Sequence, residues 1–280
     1  MMPNPPALPI DDDQAALRAV ATHGGALCTV VAIDGSWSRR LGAQLAVLPD
    51  GRCVGSLADG CLEAALARVA AEGQRQLMRF GRGAPTLDVR LPCGSGITVL
   101  VDPAPDRMAL AAAVAQLDAR MAADLALPLP DGTCFTRRTL PACRLLALGA
   151  GPEVAALAAL AQAAGVTVET AAPLGDPGDH PLELGKAPTL PVDAWTAIAV
   201  LFHDHEWERA ILPWALASPA YLVGAQGGAG ARNARAEWLE PQLLARLVSP
   251  VGLFPAARSP STLALSVLAQ VVAGHEALRR

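Results

Sequence analysis

The stretch that most constrains the fold is Cys143–Leu148, Gly149-Ala150-Gly151, and the alanine- and leucine-rich run that follows to Ala164. A largely apolar run of strand length, a GxG turn, a helix closed by Gly165 and the next strand, Val166–Thr170, spell a βαβ unit. Ala197–Phe202 supplies a third buried strand, and Ala220–Gly224 a fourth. The C-terminal part, 141–280, therefore reads as a Rossmann-like parallel-sheet domain. Leu145–Val166 is apolar enough to suggest a membrane span, but the internal Gly-Ala-Gly-Pro would break a spanning helix, so no membrane contact is expected.

Residues 10–138 have a different texture. A helix capped in Asp11–Asp13 ends at Gly24-Gly25, and Leu27–Ile33 is a buried strand. A polar loop with adjacent Arg39 and Arg40 follows. Leu45–Leu48 and Arg52–Leu57 flank a Pro-Asp-Gly turn and should pair as a hairpin. The next helix runs from about Cys61 to Glu72. Leu87–Leu91 and Ile97–Val101 alternate like strands, Pro103–Ala123 holds a helix, and a second Pro-Asp-Gly turn joins Leu125–Leu129 to Thr133–Arg138. This is an α+β pattern, so the chain as a whole is α/β with two domains. Its 280 residues exceed what one core usually organises. Residues 171–192, rich in Pro, Gly and Asp, read as a loop, and a helix over about Thr262–Ala273 closes the chain.

A formal charge of −4 with no basic run argues against nucleic acid as a partner. Met1–Pro9 is proline-rich and lacks the apolar core of a secretion signal, and the six cysteines contain no CxxC pair. The expectation is a cytoplasmic protein with reduced thiols.

Two of those thiols stand in glycine-rich turns. Cys61 follows Gly60 at a helix start, where unpaired N–H groups and the helix dipole favour thiolate, the form that attacks or binds metal. Cys93 sits in Cys93-Gly94-Ser95-Gly96. Asp59, close to Cys61, acts in the opposite direction. Arg39 and Arg40 are suited to an anion and equally to a solvated loop. Gly149-x-Gly151 either cradles a phosphate or makes only a tight turn: residue 154 is Val where a dinucleotide fingerprint has its third Gly, and Thr170 stands where it has an acid. His203-Asp204-His205 follows a parallel strand, where ligands of open sheets bind, although no third metal ligand has clear spacing.

In order along both domains these pieces resemble the XdhC/CoxI family. The family's GSxPRxxGAxM motif stands here as Gly35-Ser-Trp-Ser-Arg39-Arg-Leu-Gly-Ala-Gln44-Leu, with Ser38 for Pro and Leu45 for Met. Its GSxSGGCxE motif is Gly55-Ser-Leu-Ala-Asp-Gly60-Cys61-Leu-Glu63. The resemblance implies a maturation chaperone rather than an enzyme. Such a chaperone binds molybdenum cofactor and passes it to an apoenzyme of the xanthine-, CO- or aldehyde-dehydrogenase class of molybdenum hydroxylases. It implies cofactor contacts at Cys61, Cys93, Arg39, Gln44, Gly60, Gly94, Gly149, Gly151, His203 and His205, with Cys61 and Cys93 on the metal. It further implies a homodimer and a cysteine desulfurase as partner. The alternatives are an NAD(P)-dependent oxidoreductase on the GxG domain, against which Val154 and Thr170 count, and an assembly factor that holds no cofactor.

Overall fold

A computed structural model describes residues 12–58, 60–84, 94–254 and 257–279. The expected strand at Leu87–Leu91, together with Asp59 and Cys93, lies outside the described residues. The described residues divide into two compact units, one within Asp11–Pro141 and the other within Ala142–Arg280.

The first unit is built on an antiparallel sheet whose described strands run in the order β3-β2-β1-β5-β4. They are β1 (Ala26–Asp34), β2 (Gln44–Val47), β3 (Cys53–Val54), β4 (Gln76–Gly81) and β5 (Gly96–Asp102). Both faces are covered, which is why β1 begins as five buried residues, apolar but for Thr29. Ala26, Cys28 and Val30 point to one face and pack with Leu62, Leu66 and Ala70 of helix α2 (Cys61–Ala71). Leu27, with Ala46 and Leu100, points to the other and meets helices α1 (Asp12–His23) and α3 (Arg107–Asp118). The hairpin of β6 (Ala123–Pro128) and β7 (Cys134–Thr139) packs into that second core through Leu125 and Leu127. Helix α3 is capped by Asp106, whose side chain accepts from Met108 N and Ala109 N. It ends at Asp118, so Ala123 belongs to β6 rather than to the helix. Strand β4 has no counterpart in the sequence reading.

The second unit is an all-parallel sheet of β8 (Arg144–Gly149), β9 (Thr167–Pro173), β10 (His180–Leu182), β11 (Thr196–Leu201), β12 (Leu222–Ala225) and β13 (Leu247–Val248). Its order is β10-β9-β8-β11-β12-β13, the doubly wound order of a Rossmann fold, with the switch point between β8 and β11. Leu145 and Ala147 face α4 (Pro152–Ala163) and α8 (Pro260–Ala277). Leu146 and Leu148 face α5 (Glu208–Ala217) on the other side. The short helices α6 (Ala229–Ala236) and α7 (Pro241–Arg246) complete the described elements. Residues 171–192 are not all loop: β9 continues to Pro173, and His180–Leu182 adds β10 beside it. Among the described residues no helix is long and apolar enough to cross a membrane.

Candidate functional site

In the first unit the loop before α2 is organised by one carboxylate, Glu63. Its Oε1 accepts from Leu57 N at 2.8 Å and Ala58 N at 2.7 Å, and its Oε2 from Gly60 N at 2.8 Å. The bond back to the helix cap is half of a capping box, and Gly60 as N-cap offers no side chain for the other half. Gly60 has φ of 99°, and a Cβ there would meet nothing within 4 Å. Glycine is therefore required by conformation, not by space. Burial pushes the Glu63 carboxyl up, but the N–H groups of the loop outweigh it and hold the group below its ordinary range. Cys61 is the first residue of α2, at the positive end of the helix.

Arg39 reaches the same loop. Its Nε donates to Ser56 O at 3.1 Å and its Nη2 to Ser56 Oγ at 3.3 Å. The segment that carries Arg39 is held at its far end by buried Arg137, whose Nε donates to Gly42 O at 2.6 Å. Arg39 and the Cys61 turn are thus one hydrogen-bonded assembly. Gln44 is not part of it. It is 1 % exposed, pairs in register with Thr29, and donates from Nε2 to Thr29 Oγ1 at 3.1 Å. By the two-residue period of β2 it shares a face with Ala46, which packs with α1 and α3, while α2 covers the opposite face. Gly94 has φ of 65° and lies just before β5.

The remaining described cysteines sort by depth. Cys28 is buried, and burial, with Cys53 and Asp102 adding, pushes its thiol up to about 12. Cys143 is buried with Sγ 3.3 Å from the Tyr221 hydroxyl. Cys53 and Cys134 are exposed, and partial burial together with the Glu63 charge raises the Cys53 thiol. Brief alkylation of the native protein at neutral pH is expected to label Cys53 and Cys134 and to leave Cys28 and Cys143 unmodified until denaturant is added. Peptide mass spectrometry reads the order, and early labelling of Cys28 would contradict the packing of β1.

In the second unit Gly149 and Gly151 form the turn between β8 and α4. A Cβ on Gly149 would lie 2.7 Å from Leu201 O and 3.0 Å from Val154 Cγ2, so the turn is pressed onto β11 and closed from below by Val154. Over it lies a hollow of about 680 Å³ that also reaches Thr170, Asp176 and Asp179. The carboxylate absent at Thr170 is brought there from Asp179. Its Oδ2 accepts from Thr170 N at 2.8 Å and Thr170 Oγ1 at 2.9 Å. These two bonds hold the Asp179 carboxyl below its ordinary range. Sequence spacing could not reveal this, because the acid arrives from a turn beyond the strand.

His203 and His205 follow β11 and line a separate cleft of about 420 Å³. His203 Nε2 is 3.7 Å from Glu153 Oε1. His205 Nδ1 is 3.1 Å from Oε2 of Glu208, a carboxylate with no solvent exposure. Glu208 is gripped from behind by Arg235, whose Nε and Nη2 donate to its two oxygens at 2.7 and 2.6 Å. This buried pair had no signal in the sequence beyond a Glu and an Arg on separate helices. Among the described residues no cluster of three or more His, Cys, Asp or Glu is placed to hold a metal ion.

Comparison with known proteins agrees with this architecture. Residues 19–81 match the model of the XdhC and CoxI family, and residues 145–271 match that of the XdhC Rossmann domain. The chain is 32 % identical over 291 aligned positions to the molybdenum cofactor insertion chaperone PaoD of Escherichia coli (strain K12), covering 93 % of this chain and 88 % of that one. A crystal structure from Bacillus halodurans, described as a xanthine dehydrogenase, superposes with a TM-score of 0.72 over 95 % of this chain and 96 % of its own, at 21 % identity, and so shares the fold. Matched in both halves and at this identity over nearly its whole length, the chain belongs to the XdhC and CoxI family.

Proposed function

We propose that this protein is a cytoplasmic accessory chaperone that binds molybdenum cofactor and assists its insertion into a xanthine-, CO- or aldehyde-dehydrogenase-type hydroxylase. The observation that carries the reading is the 32 % identity to a molybdenum cofactor insertion chaperone, which runs through both units rather than one. The local chemistry fits. A soft metal–sulfur centre favours thiolate ligands. Cys61 stands at a helix start whose loop is already fixed by Glu63. With Cys93 it would hold the metal. Arg39 and the main chain at Gly60 and Gly94 would take the anionic part of the pterin. Gly149 and Gly151, which border one hollow of the second unit, and His203 and His205, which line another, are taken as ligand contacts within that unit. Gln44, buried on the other face of its sheet, is left out of this set. A hydroxylase apoenzyme is the client in this reading, a cysteine desulfurase a second partner, and the chaperone itself a homodimer.

Protein purified from cells that make molybdopterin should carry molybdenum and pterin absorbance. Cys61→Ala should lower the metal content by at least about tenfold, the loss of one metal ligand or charge-assisted contact. Cys93→Ala should lower it less, and Cys28→Ala should affect stability alone. Wild-type metal content in Cys61→Ala would overturn this assignment.

The Thr170–Asp179 pairing favours a second reading, an NAD(P)-dependent oxidoreductase, because it restores an acceptor for ribose hydroxyls. Glu153 in the first turn of α4 opposes it, since a carboxylate there repels a pyrophosphate. Calorimetric titration with NADH and NADPH decides: low-micromolar binding would favour the oxidoreductase.

A further inference from the structure

Two hollows open at the carboxyl ends of the C-terminal sheet, and they are lined by different charged groups. The one over β8 and β9 is walled by the Gly149–Gly151 turn, Asp176 and Asp179. The Glu153 carboxylate stands by both hollows, its Oε2 3.5 Å from where a Cβ on Gly151 would stand and its Oε1 3.7 Å from His203 Nε2. The cleft over β11 and β12 is lined by His203, His205 and Arg258 and by Gly227 and Gly228, and its described lining contains no carboxylate. We propose that this second cleft, and not the GxG turn, is the binding site for a phosphoryl group carried by a small ring-bearing ligand.

The His205 side chain is built for such a contact. Its Nδ1 stands 3.1 Å from Glu208 Oε2, and the ring lines the cleft. Arg235 compensates the Glu208 charge with two parallel hydrogen bonds. Arg235 also fixes the cleft's floor. Its Nη2 donates to Gln226 O at 2.7 Å and its Nη1 to Ser249 Oγ at 2.8 Å, and Ser249 Oγ donates to Gly227 O at 3.1 Å. Helix α6 starts at this floor with Gly228 as its N-cap, and no side chain caps its first amides. Arg258 brings a guanidinium to the rim, donating to the Ala257 carbonyl. The rest of the wall is apolar: Val251, Leu263 and Phe254, the last 47 % exposed. A cleft with donors on one side and an exposed aromatic ring on the other suits a phosphate ester of a flat ring system better than free phosphate.

The inference takes His203 and His205 as contacts for a ligand of the second unit's own cleft and does not rest on the chaperone reading, which gives the anionic part of the pterin to Arg39, Gly60 and Gly94. Its test uses sodium pyrophosphate as probe, added to the full chain at constant ionic strength and followed by amide ¹H–¹⁵N spectra. Saturable shifts are expected at Gly227, Gly228 and Ala229. His205→Ala and Arg258→Ala, both of exposed residues, should each weaken binding by about tenfold, the loss of one charge-assisted hydrogen bond. Asp179→Asn should leave it unchanged. Saturable shifts at Gly149–Gly151 instead, no saturable binding, or unaltered affinity in both cleft variants would overturn the proposal. The probe contains neither metal nor pterin, so failure here leaves the Cys61 reading standing, and failure of the Cys61 test leaves this one.

Discussion

Replacing Arg235 with alanine is expected to destabilise the C-terminal unit by about 3–5 kcal/mol, the usual cost of stripping the partner from a buried charge. Arg235 is 2 % exposed and Glu208 wholly buried, so water cannot take over the lost bonds. The substitution would leave the Glu208 carboxylate with His205 beside it, and the Gln226 carbonyl would lose its guanidinium donor. Trp207, Trp214 and Trp238 pack against the same core and report on it by fluorescence. In urea, wild type and Arg235→Ala should differ in the transition of this unit. The double variant Arg235→Met with Glu208→Leu should recover most of the loss, because removing both charges removes the desolvation penalty as well. A loss under about 1 kcal/mol in Arg235→Ala would mean that the pair is solvated, contrary to its burial.

The second large effect is expected at Glu63. Glu63→Ala removes the acceptor for the amides of Leu57, Ala58 and Gly60 together, and a loss of about 1–3 kcal/mol is expected from such charge-assisted bonds at a half-exposed site. The pH dependence has a definite sign. The folded carboxyl titrates below its ordinary value, so its contribution is complete above the unfolded value of about 4.3 and is lost as pH falls through the folded one. Glu63→Gln should therefore flatten part of the acid limb of the thermal-stability curve. Asp50 and Asp131 are also depressed, each by hydrogen bonds in its own exposed turn, and keep their share of the limb in both proteins. The difference between the two curves isolates Glu63. Identical acid limbs would show that the loop does not depend on this carboxylate. Faster amide exchange at Leu57 and Ala58 in Glu63→Gln is the local counterpart. Because Glu63 acts through the loop, molybdenum content should fall in Glu63→Gln even though the cysteine is intact.

What could be read in advance follows from how many neighbours a segment has. β8 and β11 are central strands covered by helices on both faces, so past Arg144 and Thr196 at their starts every residue is apolar and the run announces itself. The strands that escaped, β4, β10 and β13, all lie at the edges of the sheets formed by the described residues. An edge strand can carry Gln76 and Arg79, as β4 does, or Pro181, as β10 does, since one side of its backbone pairs with nothing in the sheet. The start of α2 at Cys61 was legible because Gly60 breaks the chain before an apolar period of four. The function of Glu63 was not, since its partners are main-chain amides that look the same in any sequence. Nor was the face of Gln44. Its alternation with Leu45 says that the two differ in side, but only the packed helices say which side carries the thiol loop.

The same edges bear on self-association. The parallel sheet ends on strands of three and two residues, one of them interrupted by proline. Such short margins offer too few unpaired amides to template another chain. A second copy cannot lengthen this sheet into a continuous one through either margin. Any dimer formed through the C-terminal unit must instead meet on helix or loop surfaces, where contact is set by side chains and can be abolished by single charge reversals without disturbing the strands.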